Sequence, residues 1–145
     1  MTLIARRLIR VDTVVCASKN YLEQHEVITQ PSDLSQHNCF VHLSSDKWNF
    51  VRDNQHYSVQ VSGNLRANDM GILSRTAINH HGIVRLPCDL ANPLIAKGLL
   101  EVVLPEYHSP SNALWAVYLS RSYQIPVVRQ FIDFIAESWK ENMTA

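Results

Sequence analysis

Val11 to Ala17 reads VDTVVCA, and Ser18 and the run Lys19 to His25, KNYLEQH, follow it directly. The first piece is short, apolar and β-branched, the composition of a buried strand. Ser18 stands where a helix N-cap belongs, because a serine hydroxyl can accept from the N–H groups that a first helical turn leaves without partners. A strand that turns straight into a helix is the unit from which α/β folds are built.

The chain beyond this corner keeps the alternation. Pro31-Ser32-Asp33-Leu34 opens a second short helical turn, punctuated by Pro31, and Cys39 to Leu43 reads as a strand. Trp48 to Arg52 and His56 to Val61 flank Asp53-Asn54-Gln55 as a β-hairpin. Gly63 marks a bend and Leu65 to Ala67 a short strand. Asn68 or Asp69 then caps a helix running to about His80, with Met70, Leu73 and Ala77 on its apolar face and Gly82 at its end. Ile83 to Leu86 is a strand closed by Pro87, and Asp89 to Ala96 is a helix ended near Gly98. Leu99 to Leu104 reads as a further strand, Pro105 to Asn112 as a loop and Ala113 to Leu119 as the last strand. Pro126 suits the first turn of a final helix. Its apolar positions Val127, Val128, Phe131, Ile132, Ile135, Ala136 and Trp139 form the strongest amphipathic stripe in the chain. The expected fold is α/β, a mixed sheet flanked by helices. Ligands in such sheets bind at carboxyl ends of strands, where helix N-termini point. Two strand-to-helix corners fit that description, Ala17-Ser18-Lys19 and Ala67-Asn68-Asp69. Each is equally accounted for as a helix cap alone.

Composition narrows the function classes. The chain has 145 residues, 46% of them hydrophobic and 18% charged, enough for a domain with its own core. Lys plus Arg total 13 and Asp plus Glu total 13, so the formal net charge is zero. A nucleic-acid binder must neutralise phosphates, and the small cluster Arg6, Arg7 and Arg10 does not supply a recognition surface. No run is long and apolar enough for a membrane span. Met1 to Arg10 does not read as a secretory signal. The three cysteines, Cys16, Cys39 and Cys88, are odd in number and far apart, which argues against a disulfide framework and for a reducing cytoplasm.

Catalytic and metal motifs are missing from the sequence. It contains no Cys-x-x-Cys, no His-Glu-x-x-His and no Gly-rich phosphate loop, and the adjacent His80 and His81 cannot share one helix face. The seven histidines read as surface residues of loops and helix ends. Cys16 and Cys39, in strands, read as small hydrophobes. Trp48, Phe50 and Tyr57 read as cross-strand packing on the hairpin. The expectation is a protein that is not an enzyme and uses no metal or cofactor.

Read in order, several phrases resemble one family. They are Leu3-Ile4-Ala5-Arg6-Arg7-Leu8, Val14-Val15-Cys16-Ala17-Ser18 with Tyr21-Leu22, Pro31-x-x-Leu34-x-x-His37-x-Cys39, and Trp48-x-Phe50. Then come Leu65-x-Ala67-Asn68-Asp69, Gly82-Ile83-x-x-Leu86-Pro87, Gly98-x-Leu100, Val117-Tyr118 and Val128-Arg129-x-Phe131-Ile132-Asp133-Phe134-Ile135. Their order and spacing resemble the C-terminal effector-binding domain of LysR-type transcriptional regulators, truncated on its N-terminal side. The resemblance implies a type II periplasmic-binding-protein-like fold with two α/β lobes and a small effector in the cleft between them. It implies that residues 1–10 are a remnant of the first lobe or crossover and that 11–112 are the second lobe. Residues 113–145 would then be the returning strand and C-terminal helix of an incomplete first lobe. His42-Leu43-Ser44 resembles the strand-end segment that lines the cleft, and Asn68-Asp69 the helix start facing it. With Ser18 at the other corner, these form the expected effector site for a small molecule, an anion among the classes it suits.

The resulting expectation is an effector-sensing regulatory domain that self-associates as a dimer or higher oligomer. It would reach DNA only through a helix-turn-helix domain absent from this chain. The alternative is a fragment of a periplasmic-type solute-binding protein, and an enzyme is the third reading.

Overall fold

The computed structural model describes residues 3–110, 112–119 and 126–144, and the chain divides into two compact units. The smaller unit comprises residues 1–11 with 111–145, and the larger comprises 12–110.

In the smaller unit, β1 (Leu3–Val11) pairs antiparallel with β9 (Asn112–Leu119), Leu3 opposite Leu119 and Val11 opposite Asn112, with an irregularity between Arg7 and Ile9. The sequence-based expectation places no strand in residues 3–10, which have no continuous apolar core; pairing with β9 makes one there. Helix α4 (Pro126–Thr144) starts at its proline as expected and packs against β1. Its stripe divides. Ile132 and Ala136 are buried and Val128 and Ile135 half-buried, whereas Val127, Phe131 and Phe134 are 69%, 65% and 68% exposed. Arg6 and Asp133 form an ion pair beside that packed face. The side chain of Trp139, also assigned to the stripe, lies outside the described residues.

The larger unit is built on a five-stranded sheet in the order β6-β3-β7-β2-β8. Its strands are β2 (Thr13–Ala17), β3 (Cys39–His42), β6 (Arg66–Ala67), β7 (Ile83–Pro87) and β8 (Glu101–Val102). β3 runs parallel to β6 and to β7, while β2 runs antiparallel to both β7 and β8. The sheet is therefore mixed.

Side chains alternate across it. Val15 and Ala17 of β2, Cys39 and Val41 of β3, and Ile83 of β7 share one core. Helix α1 (Lys19–Gln24), a 3-10 turn at Pro31–Gln36 and the hairpin β4 (Lys47–Arg52)–β5 (Gln55–Gln60) contribute Tyr21, Leu34, Trp48, Phe50 and Val59 to it. Cys16, Phe40, Val84 and Leu86 point the other way, into a core closed by Leu73 and Ala77 of α2 (Met70–Ile78) and Ala91 of α3 (Cys88–Ala96). Burial pushes the Cys16 and Cys39 thiols up to about 12, which keeps both protonated and inert, as buried apolar positions should be.

Several local expectations hold and others are corrected. The hairpin turn is Asp53-Asn54, with φ of 52° and 62°, the pair of left-handed residues that a two-residue loop with strand-matching twist requires. Gly98 has φ of 76° just past α3. Gly82, however, does not end α2. That helix stops at Ile78, and the left-handed residue is His80, with φ of 71°. Gly82 is needed for space: a Cβ there would lie 2.4 Å from the Asn38 carbonyl oxygen and 2.9 Å from Phe40 Cζ. β8 is far shorter than Leu99 to Leu104, because Leu104 turns left-handed, with φ of 55°, and leads the chain off the sheet. His37 is not a surface histidine. It is 9% exposed, and its Nδ1 lies 2.9 Å from the buried Tyr21 hydroxyl, which also accepts from the Asn38 N–H at 3.3 Å. His25 stacks on the Tyr21 ring with centroids 4.0 Å apart.

Two outcomes follow from this packing. Gly82→Ala should destabilise the fold by roughly 1–3 kcal/mol, the usual cost of overpacking, read as a lower urea midpoint. Burial, then the neighbouring His25, holds His37 below its ordinary value of 6.5, against the opposing charges of Glu26 and Asp33 and a bond to the Glu26 backbone. Below 6.5 the unfolded chain therefore binds the proton that folded His37 refuses. Stability should be fully present above that value and fall as pH drops towards the folded pKa. Thermal melts across mildly acid pH should show this fall, and His37→Gln should flatten it. An unchanged pH profile in that variant would remove His37 from the account.

Candidate functional site

The direction of each strand decides which corners meet. β3 and β7 are parallel, with Cys39 opposite Ile83, and β6 is parallel to β3, with His42 opposite Ala67. The carboxyl ends of β3, β6 and β7 thus share one edge of the sheet. Into this edge run His42-Leu43-Ser44 from β3, Asn68-Asp69 from β6 and Pro87-Cys88 from β7. β2 runs the opposite way, placing Thr13 opposite Pro87 at this edge and Ala17 opposite Ile83 at the far one.

Ser18 consequently lies at the far edge. It is 1% exposed rather than open to solvent. Its hydroxyl accepts from the Tyr21 N–H at 3.1 Å, capping α1, and lies 2.8 Å from His80 Nδ1. The expected six residues therefore fall into a group of five at one edge and Ser18 at the other.

The five share local geometry. Leu43 N–H donates to the Ala67 carbonyl at 3.1 Å, which extends the β3–β6 pairing one residue past the end of β3. Ser44 N–H donates to His42 Nδ1 at 3.1 Å, and the Ser44 hydroxyl lies 2.7 Å from the same nitrogen. In the neutral ring Nδ1 is thereby the acceptor, and the proton stands on Nε2. Leu43 and Ser44 are exposed and His42 half-buried. Asp69, not Asn68, is the N-cap of α2, accepting from the Gly71 N–H at 2.8 Å. Its carboxylate is thus occupied by the helix start. Asn68 is exposed, and its amide makes no hydrogen bond among the described residues, leaving a donor and an acceptor available at this edge.

The structure adds a corner that sequence reading passed over. β7 enters α3 with no intervening loop, through Pro87 as N-cap, and the Cys88 N–H donates to the Asp12 carbonyl at 2.9 Å. Two nine-residue helices therefore begin at the same edge. The signal was Pro87 between an apolar strand and an apolar helix. The half-buried Cys88 thiol is raised by burial and by the carboxylates of Asp12 and Asp89, so it is no thiolate nucleophile. Among the described residues no group of three or more His, Cys, Asp or Glu side chains could hold a metal, and no helix is long and apolar enough to cross a membrane. What the edge can do chemically is bind: it offers the exposed Asn68 amide, a histidine, a hydroxyl and an exposed leucine.

Comparison with known proteins agrees with this architecture. The family model for the LysR substrate binding domain matches residues 2–140. The HTH-type transcriptional regulator DmlR of Escherichia coli (strain K12) is 31% identical over 144 residues, covering 97% of this chain and 47% of the regulator. Among solved structures, the LysR-type regulator CrgA of Neisseria meningitidis aligns with a TM-score of 0.77 at 30% identity, over 94% of this chain and 47% of CrgA. The Vibrio cholerae virulence activator AphB aligns at 0.80 with 25% identity, over 94% of this chain and 48% of AphB. The chain spans about half the length of the curated relatives it matches, and those relatives are transcriptional regulators rather than enzymes. The mixed α/β fold and the family match agree: this chain belongs to the LysR substrate-binding-domain family and is an effector-binding domain of the LysR type of transcriptional regulator.

Proposed function

We propose that this chain senses a small-molecule effector held against the sheet edge formed by the carboxyl ends of β3, β6 and β7, and that occupancy there controls regulator oligomers on DNA. The observation that carries this reading is the convergence of His42, Leu43, Ser44, Asn68 and Asp69 on one edge, with the Asn68 amide exposed and unbonded. Asn68 and Ser44 would bond the effector's polar groups, His42 would present its Nε2–H, Leu43 would cover an apolar part, and Asp69 would hold the start of α2 in place. Residues 12–110 would serve as the second lobe and the smaller unit as elements of the first. DNA would be reached through a helix-turn-helix domain outside this chain, in the cytoplasm. A solute-binding role is disfavoured, since the relatives in hand are regulators.

Ser18 supplies the internal control. Compounds that raise the melting temperature of the chain should lose that effect in Asn68→Ala and Ser44→Ala. Ser18→Ala should instead cost about 1 kcal/mol of stability as a lost N-cap and leave the ligand-induced rise intact. A bound structure with the effector on the β4–β5 hairpin, remote from all five residues, would overturn the reading.

The same proposal includes self-association through α4. Val127, Phe131 and Phe134 expose apolar side chains along one helix, and covering each is worth roughly 1.5–3 kcal/mol at full burial. Light scattering over a concentration series should show a dimer or higher oligomer that Phe131→Glu weakens. A monomeric mass at every concentration would remove this part.

A further inference from the structure

The larger unit contains two polar groups that the fold leaves unused, on residues that are diagonal neighbours in the sheet. Thr13 Oγ1 is the one buried side-chain oxygen or nitrogen, among the described residues, without a hydrogen-bond partner. An unmade bond at a buried hydroxyl costs free energy, so such groups are rare and call for a reason. Arg85 is half-buried in β7 and makes neither an ion pair nor a hydrogen bond among the described residues. The other half-buried arginines whose side chains are described are paired: Arg6 with Asp133, and Arg52 with Glu106 at 3.2 Å. Burial pushes the Arg85 guanidinium down, and among the described residues no carboxylate opposes it. Asp12 and Asp89, at the same edge, act on Cys88 instead.

The register brings the two groups to one place. Thr13 lies opposite Pro87 and Val15 opposite Arg85, so Thr13 and Arg85 are diagonal neighbours on the sheet face that also carries Val15 and Ile83. Thr13 stands at the edge described above, and Arg85 stands midway along β7. A planar fork of N–H donors beside a hydroxyl donor matches the two oxygens of a carboxylate or those of a phosphate.

Resting on the effector reading, we propose that Arg85 and Thr13 form an anion subsite, in which the guanidinium holds a small oxyanion, a carboxylate or phosphate group of the ligand, and the Thr13 hydroxyl donates a further bond. The subsite would select charged over neutral ligands. Arg85 would supply attraction and orientation, and Thr13 would gain the partner it lacks.

The test is a titration of the whole 15N-labelled chain at constant ionic strength with succinate, with inorganic phosphate and with neutral succinamide. The Arg85 Nε–H and Thr13 amide signals are followed beside those of His42 to Ser44 and Asn68. Saturable shifts at Arg85 and Thr13 are expected with succinate or phosphate and not with succinamide, weakened at least tenfold in Arg85→Gln and less in Arg85→Lys. Thr13→Val should weaken anion binding while leaving the ligand-free chain as stable as the parent or more so, because it removes an unsatisfied hydroxyl. Arg85 and Thr13 signals unmoved by either anion, or moved equally by succinamide, overturn the proposal and mark the two groups as merely hydrated. Shifts that follow protein concentration rather than anion also overturn it, in favour of contact with a second copy. Responses at His42 to Ser44 and Asn68 without Arg85 sink the subsite and leave the effector reading standing. Responses at Arg85 and Thr13 alone uphold the subsite and sink that reading.

Discussion

Everything in the larger unit depends on β2 entering the sheet against the direction of β7. The pairing of Thr13 with Pro87 and Ala17 with Ile83 sets two things at once. It assigns Val15 and Ala17 to the core under the hairpin and Cys16 to the core under α2 and α3. It also sends the first strand-to-helix corner, at Ser18, away from the corners after β6 and β7. A slip of one residue would exchange the two faces, driving Cys16 towards Tyr21 and Trp48 and Val15 towards Leu73 and Ala91. Both faces are filled by large side chains of different shape, so the packing enforces the register.

This constraint separates structural from ligand-facing chemistry. At the far edge every polar group of interest is engaged: Ser18 caps α1 and contacts His80, Tyr21 bonds His37, and the Asn38 amide donates to the Asn64 side chain and the His81 carbonyl at 3.0 and 2.8 Å. Such a closed set rigidifies a fold and leaves little for a ligand. The near edge has the opposite character. Among the described residues the Asn68 amide is unbonded, and the His42 ring and the Ser44 hydroxyl bond each other. Binding surfaces need groups whose partners are not already supplied by the protein, and the near edge has such groups.

Much of the fold was legible in the residues because local rules were unopposed. Ser18 and Asp69 cap helices as their side chains dictate, Pro126 begins α4, and Asp53-Asn54 turns the hairpin. What failed were inferences needing a partner element. Residues 3–10 lack a continuous apolar core, and the strand there exists by pairing with β9. Gly82 read as a helix stop, but its lack of a side chain answers to Asn38 and Phe40, more than 40 residues earlier in the chain. The site was half legible for the same reason. A strand-to-helix corner can be recognised locally, but which corners face each other depends on strand direction, and nothing within VDTVVCA states that β2 runs against β7.

Arg85 carries the point furthest. Within Ile83-Val84-Arg85-Leu86 it reads as a tolerable charge in an apolar strand. A cation on a strand buried on both faces must reach solvent or meet an anion, because the interior does not solvate it. Alternation puts Arg85 on the face of Val15 and Ile83, where it is half-buried and no acidic neighbour among the described residues contributes to its electrostatics. A structural ion pair would have supplied that neighbour, as Glu106 does for Arg52. A purely apolar design would have placed a hydrophobe there, as β7 does at Ile83, Val84 and Leu86. A cation kept without a protein counter-charge, next to a hydroxyl kept without a protein partner, is the arrangement expected where a mobile anion completes both.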